Sequence, residues 1–342
     1  MNLIHKKLTM KRKTLLIGGA GYIGLAITEK LLSLNEEVVI CDNFIYKNES
    51  FFLPFLLREN LSFFNHDIRN SLPSDQMRDI TDVVVLAGLV GDPITKKYPD
   101  FSKRINGNSI RKTLEDLDKF DLNKVIFIST CSNYGMIKSN ELANEEFNVK
   151  PLSLYAEEKV KNENFILKNN FSYNSSVLRF ATAFGLAPRM RFDLTVNEFA
   201  YSMFNGIDLE VYDPDTWRPY CHVKDFGNLI SLVLKSENKL IKNQIFNAGG
   251  EKNNHTKRSI VEILREYMPN SKVSYSENGS DPRNYKVDFS KVKNILNFEP
   301  TYDLRKGIEE LVVSFNQGFF KDVSSNKNEY GNYFIYAEFI NE

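Results

Sequence analysis

Tyr155 and Lys159, in the stretch YAEEK, supply two groups that a proton-abstracting site needs. Four residues are about one helical turn, so both side chains stand on one face of a helix. A phenol with its ordinary pKa of about 10 is a poor base at neutral pH. An ammonium beside it favours the phenolate and lowers that value. Thr130 lies 25 residues before Tyr155 and ends the apolar run KVIFIST. There it would place a hydroxyl at the C-terminal edge of a strand, in line with the oxygen that loses its proton. Together these groups could oxidise an alcohol, provided the chain also holds an acceptor for hydride. Without one, Tyr-x-x-x-Lys is an ordinary amphipathic helix face.

The stretch GGAGYIG, Gly18–Gly24, is where such an acceptor would sit. Gly18, Gly21 and Gly24 fall between an expected strand and an expected helix. A turn there needs positive φ, and the backbone N–H groups at the helix N-terminus can approach a phosphate closely. The usual occupant is the pyrophosphate of a dinucleotide. The spacing, Gly-x-x-Gly-x-x-Gly, also suits a plain glycine-rich turn. Asp42 argues for the dinucleotide: it ends the second expected strand, 18 residues after Gly24, where a carboxylate can accept hydrogen bonds from ribose hydroxyls. It would repel a 2′-phosphate, and no arginine follows immediately, so NAD is expected rather than NADP. The plainer reading makes Asp42 a turn residue before Asn43.

The elements that must position these groups alternate along the chain. Short β-branched or apolar runs (TLLIG, EVVICD, LSFFNHD, DVVVLAG and KVIFIST) are separated by stretches with helical spacing, such as Tyr22–Leu34 and Phe101–Phe120. That alternation implies an α/β fold, a Rossmann-type doubly wound parallel sheet with helices on both faces. Beyond about Phe180 the pattern loosens, punctuated by Pro188, Pro214 and Pro219, into short elements such as LEVY, QIFNAGG and SKVSYS. The expected organisation is a frayed leader at 1–12, with Met10 a candidate initiator, then a dinucleotide-binding domain at 13–180. A smaller mixed lobe for substrate follows at 181–320, with some segments returning to the first domain. The tail at 321–342 turns aromatic and docks either on its own body or on a partner subunit.

At 342 residues the chain can bury a sizeable core. Its 44 Lys+Arg balance 44 Asp+Glu, so no global charge argues for nucleic acid or an anionic membrane. Cys41, Cys131 and Cys221 are few and scattered, as expected for a reduced, cytoplasmic protein. The four histidines lack metal-ligand spacing, so no metal is expected. No apolar run reaches the length of a membrane span.

With these motifs the chain resembles the extended short-chain dehydrogenase/reductases, specifically the NAD-dependent epimerase/dehydratase group acting on nucleotide sugars. The resemblance runs from about Lys13 to Phe315. It rests on GGAGYIG, Asp42, HDI (66–68), LAGLVGDP (86–93), STCSNYG (129–135), YAEEK, LRFATAFGLAPRMRFD (178–193), RPYCHVKD (218–225) and DPRNYKVDFSK (281–291). Within the group, LVGDP and PRMRFDLTVNEF are most similar to epimerase-like proteins that include nucleotide-heptose 4-dehydrogenases.

The resemblance implies Thr130, Tyr155 and Lys159 as the catalytic set, Thr130 standing where many members have serine. It implies Gly18, Gly21, Tyr22, Ile23, Gly24, Asp42, Asn43, Asp67, Ile68, Leu86, Ala87 and Gly88, with Tyr155 and Lys159, around NAD. Asp67 and Ile68 would face the adenine, and Leu86–Gly88 the nicotinamide ribose. Arg218 and Arg283 would grip the nucleotide phosphates; read alone, Arg218 is a surface turn residue. Arg189 would face substrate, as would Arg191, although either equally suits a structural ion pair. Asn106 would hold local backbone.

Departures from the family pattern narrow the reaction. The 4,6-dehydratases carry Asp-Glu directly after the Thr130 position; here Cys131 and Ser132 stand there. The fucose-pathway epimerase/reductases use a cysteine at the position of Ser132; Cys131, one step off on a strand, would face away. What remains is redox at one carbinol, the sugar 4-position, with a 4-epimerase preferred and a 4-dehydrogenase or 4-reductase as the alternative. A non-catalytic NAD sensor is a distant third reading. The resemblance also implies a homodimer through the helix carrying Tyr155 and Lys159.

Overall fold

A computed structural model describes residues 12–138, 141–277, 279, 282–321 and 323–341. Of the expected leader, only Arg12 lies within them. The five runs read as strands are strands: β1 (Lys13–Ile17), β2 (Glu37–Asp42), β3 (Leu61–Asn65), β4 (Asp82–Val85) and β5 (Lys124–Thr130). After them come β6 (Asn174–Phe180), β7 (Thr182–Phe184), β8 (Leu209–Tyr212), β9 (Trp217–His222), β10 (Gln244–Ala248), β11 (Asn254–Thr256) and β12 (Val273–Ser276). Seven of these form one sheet in the order β10-β6-β5-β4-β1-β2-β3, every pair parallel. Strands such as DVVV in β4 are buried along their whole length, as a parallel sheet covered on both faces requires.

The covering helices begin with α1 (Tyr22–Ser33), α2 (Asp92–Lys97), α3 (Pro99–Ser102), α4 (Ile110–Leu117), α5 (Leu154–Lys168), α6 (Thr195–Phe204) and α7 (Val223–Lys235). They continue with α8 (Asn238–Ile241), α9 (Lys257–Tyr267), α10 (Ser290–Leu296), α11 (Leu304–Asn316) and α12 (Ala337–Asn341). Alternation along β1 divides the core. Leu16 packs in one cluster with Leu25 of α1 and Phe226 and Leu229 of α7. Leu15 and Ile17 belong to the opposite one, with Leu114 and Leu117 of α4 and Ile166 of α5. Each such fully buried side chain contributes about 1.5–3 kcal/mol relative to exposure.

The smaller lobe is mixed. β9 pairs parallel with β7 and antiparallel with β11, and β8 pairs with β12. Its core holds Phe184, Met190, Phe192, Tyr220, Ile308, Leu311 and Phe315. Two expectations change here. QIFNAGG, placed with the irregular elements, supplies β10 and completes the large sheet beside β6. Pro219, read as punctuation, lies inside β9 opposite Asn254, its fixed φ compatible with extended backbone. The aromatic tail docks on its own body, with Phe192 N donating to Tyr330 O at 2.7 Å and Ile335 buried in the core on the α4–α5 face.

The lobes are stitched through Tyr22, whose hydroxyl donates to Gly185 O at 2.6 Å, and through His222. His222 is fully buried, and its Nδ1 caps α7 by accepting Lys224 N at 3.2 Å. Its ring stacks on Tyr302, and Nε2 lies 3.2 Å from Glu310. Burial pushes the imidazole below its ordinary pKa, more than Glu310 raises it. The folded state therefore favours neutral His222, and the unfolded chain binds the extra proton first. Stability from this group is full above about pH 6.5 and declines as pH falls, by at most about 1.4 kcal/mol per unit. Urea titrations between pH 5.5 and 7.5 should show this slope, and His222→Asn, which keeps a cap acceptor, should remove it while lowering overall stability.

Candidate active site

A cleft opens along the C-terminal ends of the parallel strands, where ligands bind in open α/β sheets. At its floor the glycines do three different jobs. Gly18 has φ +82°, and a Cβ there would stand 2.6 Å from Ala87 N at the end of β4. Gly24 lets α1 close onto the loop, since a Cβ would meet Gly19 O at 2.4 Å. Gly21 caps α1 with an ordinary negative φ, and a Cβ on it would meet only Gly18 O, at 3.8 Å. Positive φ is thus needed at one of the three; the third keeps open the space in front of the helix. The first bond of α1 runs from Leu25 N to Gly21 O, and no side chain caps the helix. The N–H groups of Tyr22, Ile23 and Gly24 precede that bond, an arrangement suited to an anion.

Asp42 staples this turn to β2. One carboxylate oxygen accepts Ala20 N and the other accepts Phe44 N, each at 2.9 Å. Burial nevertheless pushes its pKa up, so a further hydroxyl donor would stabilise the charge. Asp67 is already saturated by Arg69 N, Nε and Nη2 and by Asn43 Nδ2. Burial opposes its ionisation, but these donors outweigh it and hold the carboxyl below its ordinary pKa. Asn43 is therefore committed to Asp67, while Ile68 lines the cleft beside it.

Leu86, Ala87 and Gly88 follow β4 along the same wall. Beneath them Asn106 clamps the backbone of Leu89, accepting its N–H at 2.7 Å and donating to its carbonyl at 2.9 Å. Asn106 sits in a seven-residue π-helical segment, Lys103–Ser109, a geometry frequent near functional sites.

Tyr155 and Lys159 line the cleft from the first turns of α5, which is capped by Ser153, whose hydroxyl accepts Ala156 N. Lys159 is almost fully buried. Its Nζ donates to Ile128 O at 2.6 Å and lies 4.6 Å from the Phe127 ring centre and 5.9 Å from that of Tyr155. Burial lowers its pKa to about 8, against the pull of Glu163 one turn on. Thr130 ends β5 with Oγ1 accepting Ser132 N at 3.1 Å. The cleft wall here is formed by Ile128, Ser129 and Ser132; Thr130, half-buried between them at the strand end, is not part of the cleft lining. Residues Cys131–Tyr134 form a 3₁₀ turn rather than more strand. That turn, not strand alternation, sends Cys131 into the core, its thiol donating to Arg179 O, and Ser132 into the cleft.

Arg218 is no surface turn residue. It is buried on β9, its guanidinium 5.2 Å from the Tyr285 ring centre and donating to Trp217 O. Arg283 reaches Ser132 Oγ at 3.5 Å, and the Tyr285 hydroxyl lies 3.3 Å from the same atom. Two guanidinium groups thus flank Tyr285 beside the end of β5, suited to a diphosphate. Arg191 forms a bidentate ion pair with Asp193. Arg189 lines the cleft but has its guanidinium tied into the tail. Cleft residues missing from the sequence reading include Tyr285, Asp193 and Asn332, the last from that tail.

A doubly wound sheet with a dinucleotide turn at its switch point and a Tyr–Lys pair on the facing helix defines a nicotinamide-dependent oxidoreductase-type fold. The chain belongs to the NAD dependent epimerase/dehydratase family, whose model matches residues 14–249. It is 27% identical over 310 residues to a putative UDP-glucose 4-epimerase of Methanocaldococcus jannaschii, covering 87% of this chain and 96% of that one. It is 26% identical over 317 residues to a UDP-glucuronate 4-epimerase of Thermodesulfobacterium geofontis, with coverage of 87% and 94%. Among solved structures, UDP-glucuronic acid 4-epimerase from Bacillus cereus, in complex with UDP-glucuronic acid and NAD, superposes with a TM-score of 0.79. That match is at 25% identity, over 89% of this chain and 99% of that one.

The clamp by Asn106 makes a direct prediction. Asn106→Ala would leave the buried polar backbone of Leu89 unsatisfied and cost about 1–3 kcal/mol, read as a shift in urea midpoint. The same variant should bind NAD more weakly, measured by calorimetry, because the post-β4 wall loses its support.

Proposed function

We propose that the protein is an NAD-dependent nucleotide-sugar 4-epimerase. The observation that carries the proposal is the buried Lys159 beside Tyr155 at the end of β5, in one cleft with Arg218, Arg283 and the glycine turn. The cofactor's site fits on three counts: space left open at Gly21, N–H groups at the start of α1, and the Asp42 carboxylate for ribose hydroxyls. When bound, NAD supplies a reversible acceptor for hydride.

Tyr155 takes the proton from the sugar 4-hydroxyl, and Lys159 stabilises the phenolate that makes this possible at neutral pH. Thr130 holds the substrate oxygen in line. Arg218 and Arg283 bind the diphosphate and leave the sugar tethered through rotatable bonds. The 4-keto sugar can then turn over and receive hydride on its opposite face, with Tyr155 returning the proton. Sequence similarity to 4-epimerases along nearly the full length of the relatives supports this reading. A homodimer through α5 belongs to the same proposal, with light scattering as its test. So does a reducing, cytoplasmic setting, which suits three buried free cysteines.

Incubation with UDP-, GDP-, CDP- and dTDP-sugars, resolved by chromatography, tests the proposal. The expected product is a 4-stereoisomer with no net reduced nicotinamide; a 4-keto product with stoichiometric reduced cofactor would make the protein a dehydrogenase instead. Tyr155→Phe should retain NAD and lose at least about 100-fold in kcat. Because Lys159 loses its charge near pH 8, kcat should fall above about pH 8, and Lys159→Arg should displace that alkaline limb upward.

A further inference from the structure

The segment after α11 lies beyond the residues matched by the family model, and its path crosses the cleft. On the smaller lobe, Phe192 N donates to Tyr330 O at 2.7 Å and Asn332 N donates to Asp193 Oδ2 at 3.3 Å. On the large sheet's side, the Tyr330 ring meets Phe51, in the loop after β2, edge-on. Farther along, Ile335 N donates to the Tyr98 hydroxyl, at the junction of α2 and α3. The Ile335 side chain is 4% exposed and packs in one cluster with Tyr46 and Leu89. Lys47 pairs with Glu338 at 2.8 Å, and Arg104 donates to Ile340 O at 2.9 Å. The segment thus fastens the second lobe to the loop after β2, which borders the glycine turn, and to the helical region that follows β4.

Arg189 is the anchor. It is 2% exposed and donates to the carbonyls of Asn328, Glu329 and Gly331 and to the side-chain oxygen of Asn332, at 3.1–3.4 Å. Its guanidinium lies 5.1 Å from the ring centre of Tyr46, four residues past Asp42. A buried cation held by neutral carbonyls keeps its positive charge to offer to an anion in the cleft, and Asn332 completes the wall there.

We propose that the C-terminal segment is a strap that closes the dinucleotide side of the cleft, anchored by Arg189, with Asn332 as its contribution to the cofactor site. NAD then leaves only after the strap detaches from the loop after β2 and from the helical region that follows β4. This rests on the reading of the cleft as an NAD site and gives an epimerase the means to keep its cofactor between turnovers. It also reassigns Arg189 from substrate to strap.

The test is the dissociation rate of NAD, read by displacement with a fluorescent ethenoadenine analogue, with no sugar present. Full-length protein is compared with a deletion of residues 324–342 and with Ile335→Asp, which unseats the strap through one tail side chain. Trypsin cleavage of the tail with and without NAD is the second readout. Release at least 10-fold faster in a folded variant, together with protection of the tail by NAD, is the expected result. If the deletion does not fold, Ile335→Asp decides. Rates within twofold of the full-length protein in a folded variant overturn the strap and leave the epimerase reading intact. Failure of the full-length protein to bind NAD overturns both.

Discussion

The reactive end of the cleft hangs on one buried carboxylate. Glu163, one turn beyond Lys159 on α5, accepts the Ser129 hydroxyl, the Asn133 amide and a bidentate Arg179. Ser129 belongs to β5, Asn133 to the turn after it and Arg179 to β6, so a single group fixes the helix bearing Tyr155 and Lys159 against the strand bearing Thr130. Such a pair is costly to desolvate and gains little over an apolar contact unless every lone pair is met. Here they are met, and the return is geometric: four elements held in one register. The same carboxylate works against the loss of charge that burial imposes on Lys159.

Much of this was legible because it is local. The glycine spacing, Asp42 at a strand end and the Tyr-x-x-x-Lys turn each depend on neighbours within a few residues, and the first five strands announce themselves as β-branched or apolar runs. What escaped is what the chain brings together from afar. Nothing near Arg218 shows that β9 will be covered by Tyr285. Nothing near Asn106 shows that its amide will meet Leu89 in a π-helical bend. The contrast between Cys131 and Ser132 was expected for the wrong reason, because a strand continuing past Thr130 and a 3₁₀ turn starting there put the same two residues on opposite sides. The tail partners of Arg189 lie about 140 residues downstream, out of reach of any local pattern.

The cleft is also lined by charges of both signs. Asp42 and Asp67 lie on the glycine-turn side, Asp42 within the influence of Arg189, and Arg218 and Arg283 lie on the wall of the smaller lobe. Asp67, saturated by Arg69 and Asn43, serves more as a brace for the loop after β3 than as an open acceptor. Neutral overall charge thus conceals a cleft lined by charged groups, which composition alone does not reveal.

The seventh strand has a consequence for how the molecule is made. β10 pairs with β6, yet residues 181–243 lie between them and build much of the other lobe. During synthesis the first six strands emerge with the backbone of β6 presented as an open edge, a template for pairing with another chain. That edge is sealed only after more than two-thirds of the polypeptide has left the ribosome, so the nascent large sheet needs protection while the smaller lobe is being assembled.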